Sequence, residues 1–506
     1  MGPASYSSSR LIDMKNPAQH ADLVRWMIFL LGPVERLTPA WQPRSDMRIS
    51  RRFGSEVVEE TVHWEPNGKH SLNSAWNGVR DVRHEPISKR TTVWAGAITG
   101  PSDVEEIPVL CKASWMSTGR QQFAHELEIL RLLQDPLSQH VFPEIEDKGV
   151  FRRTDLMREI PQWQEVASNL PKPFGLVDLS EEPDYIVRPN IGAAKPLERN
   201  QDQSEPRDTV ALSALLLESQ PANPLAVIQD LSMKQFLRIY IDVAKALWYL
   251  ACEGIHHRDV THDNIMARLV EEPGQPPTYA GVLIDFGSAI YSGERRDVDP
   301  VHSTDAYIKA GIDDGFAGST FMISIAAHKH RCYDRTRDLR TIEECTNADG
   351  TIVVPEGSAD KRWREKVVSY ARKRLVQDRL HRFVDDLESL LYCMCSQVGL
   401  RRFGQGDNPA TPILGSLEKK QSEWQDSLLH LTNQVDRHNH HGQFRIMIHD
   451  MADRIQLVQQ DLDLDSHQRA GQAITQQEHE CFRDCVKRME QAHDATDPSE
   501  MIETND

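Results

Sequence analysis

The alternation of apolar and polar residues predicts a strand-rich first half of the chain. Residues 91–98 (T-T-V-W-A-G-A-I) and 107–115 (I-P-V-L-C-K-A-S-W) predict two strands of a hairpin, joined by a polar turn. Residues 121–133 then place apolar side chains at helical spacing, and residues 211–221 predict a buried strand that ends in a polar turn. A small antiparallel sheet with one main helix is therefore expected here.

Helical patterns dominate the second half. Ser232 and Gln235 form a capping-box pattern that predicts the start of a helix, and Gly254 predicts its end. The apolar stripe of this helix comprises Phe236, Tyr240, Val243, Leu247 and Leu250. Residues 381–395 predict a second buried helix.

Residues 21–32 predict a helix near the N-terminus, followed by a connection rich in Pro and Arg.

Composition and charge indicate which partners and which cellular compartment to expect. The formal net charge of −18 argues against a protein that coats nucleic acid, because binding to phosphate backbones needs a basic surface. Eight cysteines in 506 residues, with no secretory leader, favour reduced thiols and an intracellular protein of the cytoplasm or nucleus. The apolar run from Trp26 to Leu31 is too short to span a bilayer, so no membrane association is expected.

One stretch carries the candidate chemistry. Residues 257–264 (H-R-D-V-T-H-D-N) place Asp259 five positions before Asn264, and Asp285 follows the apolar run G-V-L-I and precedes Phe286 and Gly287. This is the spacing of a phosphotransferase catalytic loop and metal-binding turn. A carboxylate takes or orients the proton of an acceptor hydroxyl, while an amide oxygen and a second carboxylate hold magnesium. Asp259, Asn264 and Asp285 fit these roles; D-F-G alone would be only a common turn.

Two charged residues of the first half complete the candidate set. Lys112 ends an apolar run like the lysine of a V-A-I-K pattern, and Glu126 lies on the next predicted helix. The functional interpretation pairs Lys112 with Glu126, and the alternative is an exposed lysine beside solvated glutamates. Glu128 on the same helix is the other candidate partner. Asp386, entering the helix at 381–395, is expected to accept backbone amides and so to brace the catalytic loop.

Other residues favour structural or unassigned roles. Cys481 and Cys485 have no second ligand pair, and the histidines at 438, 440 and 441 lack the spacing of a zinc site. A hydroxyl-rich segment follows Gly287, where Arg258 could pair with a phosphate. Ordinary surface hydroxyls are the simpler interpretation for any one of them.

The chain resembles the fungal-type protein kinase family over roughly residues 80–400. The resemblance lies in five segments: G-I-H-H-R-D-V-T-H-D-N-I-M, V-L-I-D-F-G-S-A, V-L-C-K-A-S-W, G-S-T-F-M-I-S-I and D-D-L-E-S-L-L-Y. It implies an α+β, two-lobed protein-kinase-like fold that uses ATP and Mg²⁺ to phosphorylate serine or threonine of a protein substrate. By motif position, Lys112 would hold the phosphates with Glu126, Asp259 would be the base, Asn264 and Asp285 would bind metal, and Asp386 would brace the large lobe.

The expected organisation follows from this resemblance. It comprises a helical extension (1–75), an N-lobe with an inserted polar loop (76–220), a mostly helical C-lobe with an insert at about 331–380 (221–490), and an acidic disordered tail (491–506).

Two departures from the family pattern keep other functions open. Residues 86–94 (P-I-S-K-R-T-T-V-W) stand where a glycine-rich loop should cover the phosphates, and I-S-I stands where an A-P-E motif is expected. A pseudokinase that acts as a binding module, or an enzyme of this fold that phosphorylates a small molecule, are the alternatives.

Overall fold

The described part of the chain covers most of the expected elements. The computed structural model describes residues 43–53, 56–66, 80–82, 91–99, 106–117, 122–134, 166–167, 169–179, 188–189, 209–219, 222–225, 228, 231–271, 277–291, 381–403, 442–465, 474–497 and 502. The chain divides into two compact units. The first comprises Met1–Leu132 and Pro171–Pro221, and the second comprises Leu133–Leu170 and Ala222–Asp506.

The first unit is built on an antiparallel sheet and one helix. Its elements are β1 (Asp46–Phe53), β2 (Glu56–Pro66), β3 (Arg80–Val82), β4 (Thr91–Thr99), β5 (Ile107–Ser117), α1 (Gln122–Gln134), β6 (Pro173–Val177), β7 (Arg188–Pro189) and β8 (Thr209–Glu218). Six strands follow the order β2-β1-β6-β8-β5-β4, and β2 also pairs with β4, so these strands form a closed ring. Strands β3 and β7 pair with β4 and β8 outside this ring.

The hairpin β1–β2 corrects the expectation for the N-terminal region. Residues 46–53 and 56–66 form strands, where the sequence analysis expected part of a helical extension and its connection. Strand alternation explains this, because Ile49, Val62 and Trp64 are buried while Thr61 and His63 between them are exposed. The predicted helix at residues 21–32 lies outside the described residues.

Apolar side chains from the ring strands form the core of the first unit. Trp64, Ile98, Val109 and Cys111 belong to one buried cluster. Helix α1 adds Leu127, which clusters with Leu215 of β8. The strands and helix predicted around Lys112 and Glu126 are therefore confirmed, and the packing fixes α1 on the sheet.

The second unit is mostly helical. Its elements are β9 (Ala222–Pro224), α2 (Met233–Cys252), β10 (Ile255–His256), β11 (Ile265–Val270), β12 (Thr278–Leu283), β13 (Ile290–Tyr291), α3 (Phe383–Phe403), α4 (Gly442–Asp465) and α5 (Gln476–Ala495). Strands β9, β11 and β12 form one small antiparallel sheet, and β10 pairs with β13. These short strands flank the segments that carry the predicted catalytic residues.

Helix α2 is the buried centre of the second unit. Ser232 and Gln235 form the predicted capping box, in which each side chain accepts from the other residue's backbone amide. The chain leaves the helix at Gly254, whose φ of 73° is easy only for glycine. Trp248 donates from Nε1 to Nδ1 of His479 at 3.0 Å, so α5 packs against α2 through a buried hydrogen bond.

The C-terminal region is more ordered than the sequence predicted. The expectation of a disordered tail from residue 491 is wrong for residues 491–497 and 502. Helix α5 continues to Ala495 because Ala492 is on its buried face, and Thr496 donates from Oγ1 to the carbonyl of Ala492 at 2.7 Å. Ile502 is buried, and its amide donates to the carbonyl of Leu231 at 3.3 Å.

The architecture confirms the expected mixture of helix and antiparallel strand, while the two-lobed arrangement stays a prediction. Within the ranges that the structure describes, no helix combines the length and apolarity needed to cross a membrane.

Candidate functional site

Lys112 and Glu126 form an ion pair in the first unit. Lys112 lies in the middle of β5, where it pairs across the sheet with Val93 and Leu215. Its Nζ lies 3.0 Å from Oε1 and 2.9 Å from Oε2 of Glu126. The glutamate is 1% exposed and the lysine 12%. Of the two glutamates considered, Glu126 makes this contact, and its burial makes the pair sensitive to loss of either partner.

The loop with Asp259 is joined to the segment before Asp285 by Asn264. The side chain of Asn264 donates from Nδ2 to the carbonyl of Asp259 at 2.8 Å. The backbone carbonyl of Asn264 accepts from the amide of Ile284 at 2.9 Å. Asn264 ends a short 3₁₀ turn (His262–Asn264) that opens β11, so the short sheet β11–β12 holds both segments. Hydrogen bonds thus connect Asn264 to Asp259 and to Ile284, the residue before Asp285.

His257 adds a second connection between these segments. Its Nδ1 accepts from the amide of Asp259 at 3.3 Å, and its Nε2 lies 3.1 Å from the carbonyl of Ile284. An amide can only donate and a carbonyl can only accept, so the ring is neutral and carries its proton on Nε2. Burial lowers the pKa of His257, which agrees with this state.

Asp285 occupies a left-handed backbone conformation. Its φ is 65° and its ψ is 74°, which is unfavourable for a non-glycine residue by about 1 kcal/mol or more. The turn is stabilised by a hydrogen bond from the amide of Gly287 to Oδ1 of Asp285 at 3.3 Å. Phe286 is fully buried with its ring edge-on to His257, 4.9 Å between centroids. The buried ring of Phe286 holds the turn in place, whereas Asp285 itself is only half-buried.

Asp386 at the start of α3 accepts the backbone of the catalytic loop. Oδ2 accepts from the amide of His257 at 2.8 Å, and Oδ1 accepts from the amide of Arg258 at 2.9 Å. Arg258 is the second non-glycine residue with φ of 65° among the described residues. These two bonds offset its strain, and Asp259 follows directly. The geometry matches the brace that the sequence analysis expected of Asp386.

Three histidines surround Asp386. His381 lies with Nε2 3.0 Å from Oδ1, and His256 stacks on Phe383 with ring centroids 3.8 Å apart. Burial alone would raise the pKa of Asp386, but the charge and hydrogen bond of His381, with His257 and His256, outweigh it and lower the pKa to about 2. The carboxyl is therefore ionised at neutral pH.

Sequence reasoning did not identify His257 or His381. His257 sits inside the recognised motif, so its position was a usable signal. Nothing in the local pattern distinguishes His381 from the other histidines, because its partner is fixed by the start of α3. Ring and carboxylate meet only once the helix forms.

Asn264 and Asp285 offer an amide oxygen and a carboxylate, which are donors of the kind that magnesium takes. Nδ2 of Asn264 is used by the loop, which leaves the amide oxygen as the atom able to bind a cation, and Asp285 supplies a carboxylate. Within the described residues, no group of three or more His, Cys, Asp and Glu side chains could hold a metal ion. Magnesium fits such a sparse set, because it commonly takes one or two protein ligands together with substrate phosphates and waters. Residues 86–90 of the glycine-poor segment and the histidines at 438, 440 and 441 lie outside the described residues.

Comparison with known proteins places the chain in a family. A search of curated proteins finds no significant match. Among solved structures, vaccinia related kinase 3 is similar with 11% sequence identity and a TM-score of 0.38, covering 92% of this chain and 97% of that chain. At that TM-score the similarity supports no conclusion. The sequence model of the fungal protein kinases matches residues 81–343, more than half of the chain. With the catalytic-loop and metal-turn motifs inside this match, the chain belongs to the fungal protein kinase family.

Proposed function

We propose that this protein is a serine/threonine protein kinase that transfers the γ-phosphate of ATP to a protein hydroxyl. Family membership supports a kinase-type phosphotransferase. The observation that carries the finer assignment is the hydrogen-bonded link from Asp259 through Asn264 to Ile284, one residue before Asp285. This link supports the proposal because in-line phosphoryl transfer requires a base and its magnesium ligands on segments that are held together.

Each residue has a distinct task in this proposal. Asp259 accepts or orients the proton of the acceptor hydroxyl, and its backbone is held by His257 and Asn264 so that the carboxylate is positioned before substrate arrives. Lys112 binds the α and β phosphates. The bidentate contact with Glu126 fixes its ammonium group.

Asn264 and Asp285 would hold Mg²⁺, which neutralises charge on the phosphates when bound. Asp386 supports the loop through the amides of His257 and Arg258. We further propose that the two lobes correspond to residues 76–220 and 221–490.

A matched pair of variants tests the assignment. Asp259→Asn keeps the shape and the backbone contacts of the loop, so it should fold normally and lose about 10²- to 10⁴-fold in turnover. Asp263→Asn alters a half-exposed carboxylate on the same loop and should retain parental turnover. The assay is incorporation from labelled magnesium-ATP into a basic protein and into the chain itself, with identification of the phosphorylated amino acid.

The outcomes separate the three candidate functions. Phosphoserine or phosphothreonine formed by the parent and by Asp263→Asn alone supports the proposal. Equal turnover of Asp259→Asn would remove Asp259 from the role of base. A folded parent without transfer supports the pseudokinase alternative, which the absence of glycine at residues 86–94 favours. Transfer to small hydroxyl compounds without protein labelling supports the small-molecule alternative.

A further inference from the structure

His381 contacts the carboxylate that supports the catalytic loop. It lies two residues before α3, and its side chain is 7% exposed. Oδ1 of Asp386 accepts both from the amide of Arg258 at 2.9 Å and from Nε2 of His381 at 3.0 Å, while Oδ2 accepts from the amide of His257 at 2.8 Å. One carboxylate therefore joins the segment before α3 to the loop before Asp259.

We propose that His381 is a positioning residue of the phosphotransfer site, acting through Asp386 on the conformation of the Asp259 loop. This inference rests on the proposed kinase function. The carboxylate can rotate about its side-chain bonds unless all of its donors are in place. Asp386 extends from the first turn of α3, two amides of the loop hold its carboxylate from one side, and His381 holds Oδ1 from the segment before the helix.

His381 is the hydrogen-bond donor in its contact with Asp386. Asp386 is ionised, and an ionised carboxylate can only accept hydrogen bonds. Nε2 of His381 therefore carries a proton whether the ring is neutral or charged. The ring is also confined, because His256 lies edge-on to it at 5.8 Å between centroids and is itself stacked on Phe383. This packing limits rotation of the donor.

The contact has a consequence for catalysis because of the backbone at Arg258. The left-handed conformation of Arg258 is unfavourable for a non-glycine residue, and the hydrogen bond from its backbone amide to Asp386 offsets that strain. When the carboxylate turns away, the loop is free to relax, and Asp259 is the next residue. Displacement of a reacting group by about 1 Å can lower a rate about 100-fold. Loss of His381 should therefore lower kcat while leaving the KM for ATP within about twofold of the parent.

The test combines three variants with two measurements. His381→Leu removes the donor, and His381→Gln keeps an N–H donor on a side chain of similar reach. His479→Phe removes a different buried histidine hydrogen bond, the one from Trp248, and serves as the control for general loss of stability. Steady-state kcat and KM for ATP are measured at a temperature where all variants are folded. Hydrogen exchange is measured over residues 255–264.

The expected result is specific to the leucine variant. His381→Leu should lower kcat by about tenfold or more and should speed exchange of the His257 and Arg258 amides by about tenfold. His381→Gln should stay within about threefold of the parent in both, and His479→Phe should match the parent. Exchange of these two amides reports the brace directly, and it does not depend on turnover.

Three results would overturn the inference: parental kcat in His381→Leu, parental exchange in His381→Leu, or equal changes in His479→Phe. Failure of the kinase function is distinguished by a folded parent that transfers no phosphate. In that case exchange alone decides, and accelerated exchange in His381→Leu with parental exchange in His381→Gln supports the positioning contact.

Discussion

The substitution Gly281→Ala should strongly destabilise the second unit. An added Cβ would lie 2.1 Å from the carbonyl oxygen of Ile239 and 3.2 Å from Cβ of Asp242 in α2. The amide of Gly281 also donates to Oδ2 of Asp242 at 3.0 Å. Overpacking against a backbone atom costs about 1–3 kcal/mol, and weakening a buried hydrogen bond to a carboxylate costs about 1.5–3 kcal/mol. The free energy of unfolding should therefore fall by about 3–5 kcal/mol.

Urea unfolding followed by tryptophan fluorescence measures this change. With an m-value of about 3 kcal/mol/M, the midpoint should fall by about 1 M or more. Gly442→Ala is the matched control, because a Cβ there meets no atom within 4 Å, and its effect should stay within about 0.5 kcal/mol. A midpoint of Gly281→Ala equal to that of the parent would refute the argument from close contact. Since β12 leads to Asp285, phosphate transfer by Gly281→Ala should fall as well.

Two further predictions concern charge. Lys112→Met should abolish transfer and lower the free energy of unfolding by about 3–5 kcal/mol, because Glu126 keeps a buried charge without its cation. The control Lys172→Met removes an exposed ion pair and should lower the free energy of unfolding by less than about 1 kcal/mol. Equal losses in the two variants would contradict this prediction. Burial lowers the pKa of His256 and of His257. Below about pH 6.5 the unfolded chain therefore binds more protons than the folded chain. The free energy of unfolding should decrease as the pH is lowered, by up to about 1.4 kcal/mol per pH unit for each histidine. Urea midpoints between pH 7.5 and 5.5 check this, and a flat profile would contradict it.

Local signals predicted the elements that hold the candidate site. The capping box joins Ser232 and Gln235, which are only three positions apart. The glycine after α2 is favoured by a single backbone angle. The local sequence alone therefore predicts both features. The Lys112 strand and the Glu126 helix follow from periodicity in the same way. Their contact also needed α1 to pack on the sheet, and the choice between Glu126 and Glu128 was decided only by that packing.

Contacts between distant segments could not be predicted. Met47, Ile49, Val62 and Trp64 alternate with polar residues, which is a strand signal, but the surrounding Pro- and Arg-rich composition favoured a connection instead. Strands β1 and β2 pair with each other, and their outer partners are β6 and β4; β6 is more than 100 residues further along the chain. The burial of Ile502 is similar, because a single apolar residue in an acidic tail has no periodicity to detect.

The closed ring of strands determines where a shortened version of this chain can begin. The family match begins at residue 81, whereas β1 and β2 end at Pro66. A protein truncated at residue 81 would leave β6 and the second half of β4 each with an unpaired backbone edge, and it would uncover the site where Trp64 packs within van der Waals range of Gly96. Open edges beside an exposed apolar surface recruit strands from other molecules. The hairpin thus covers two strand edges of the first unit, and a fragment that begins at residue 81 should self-associate.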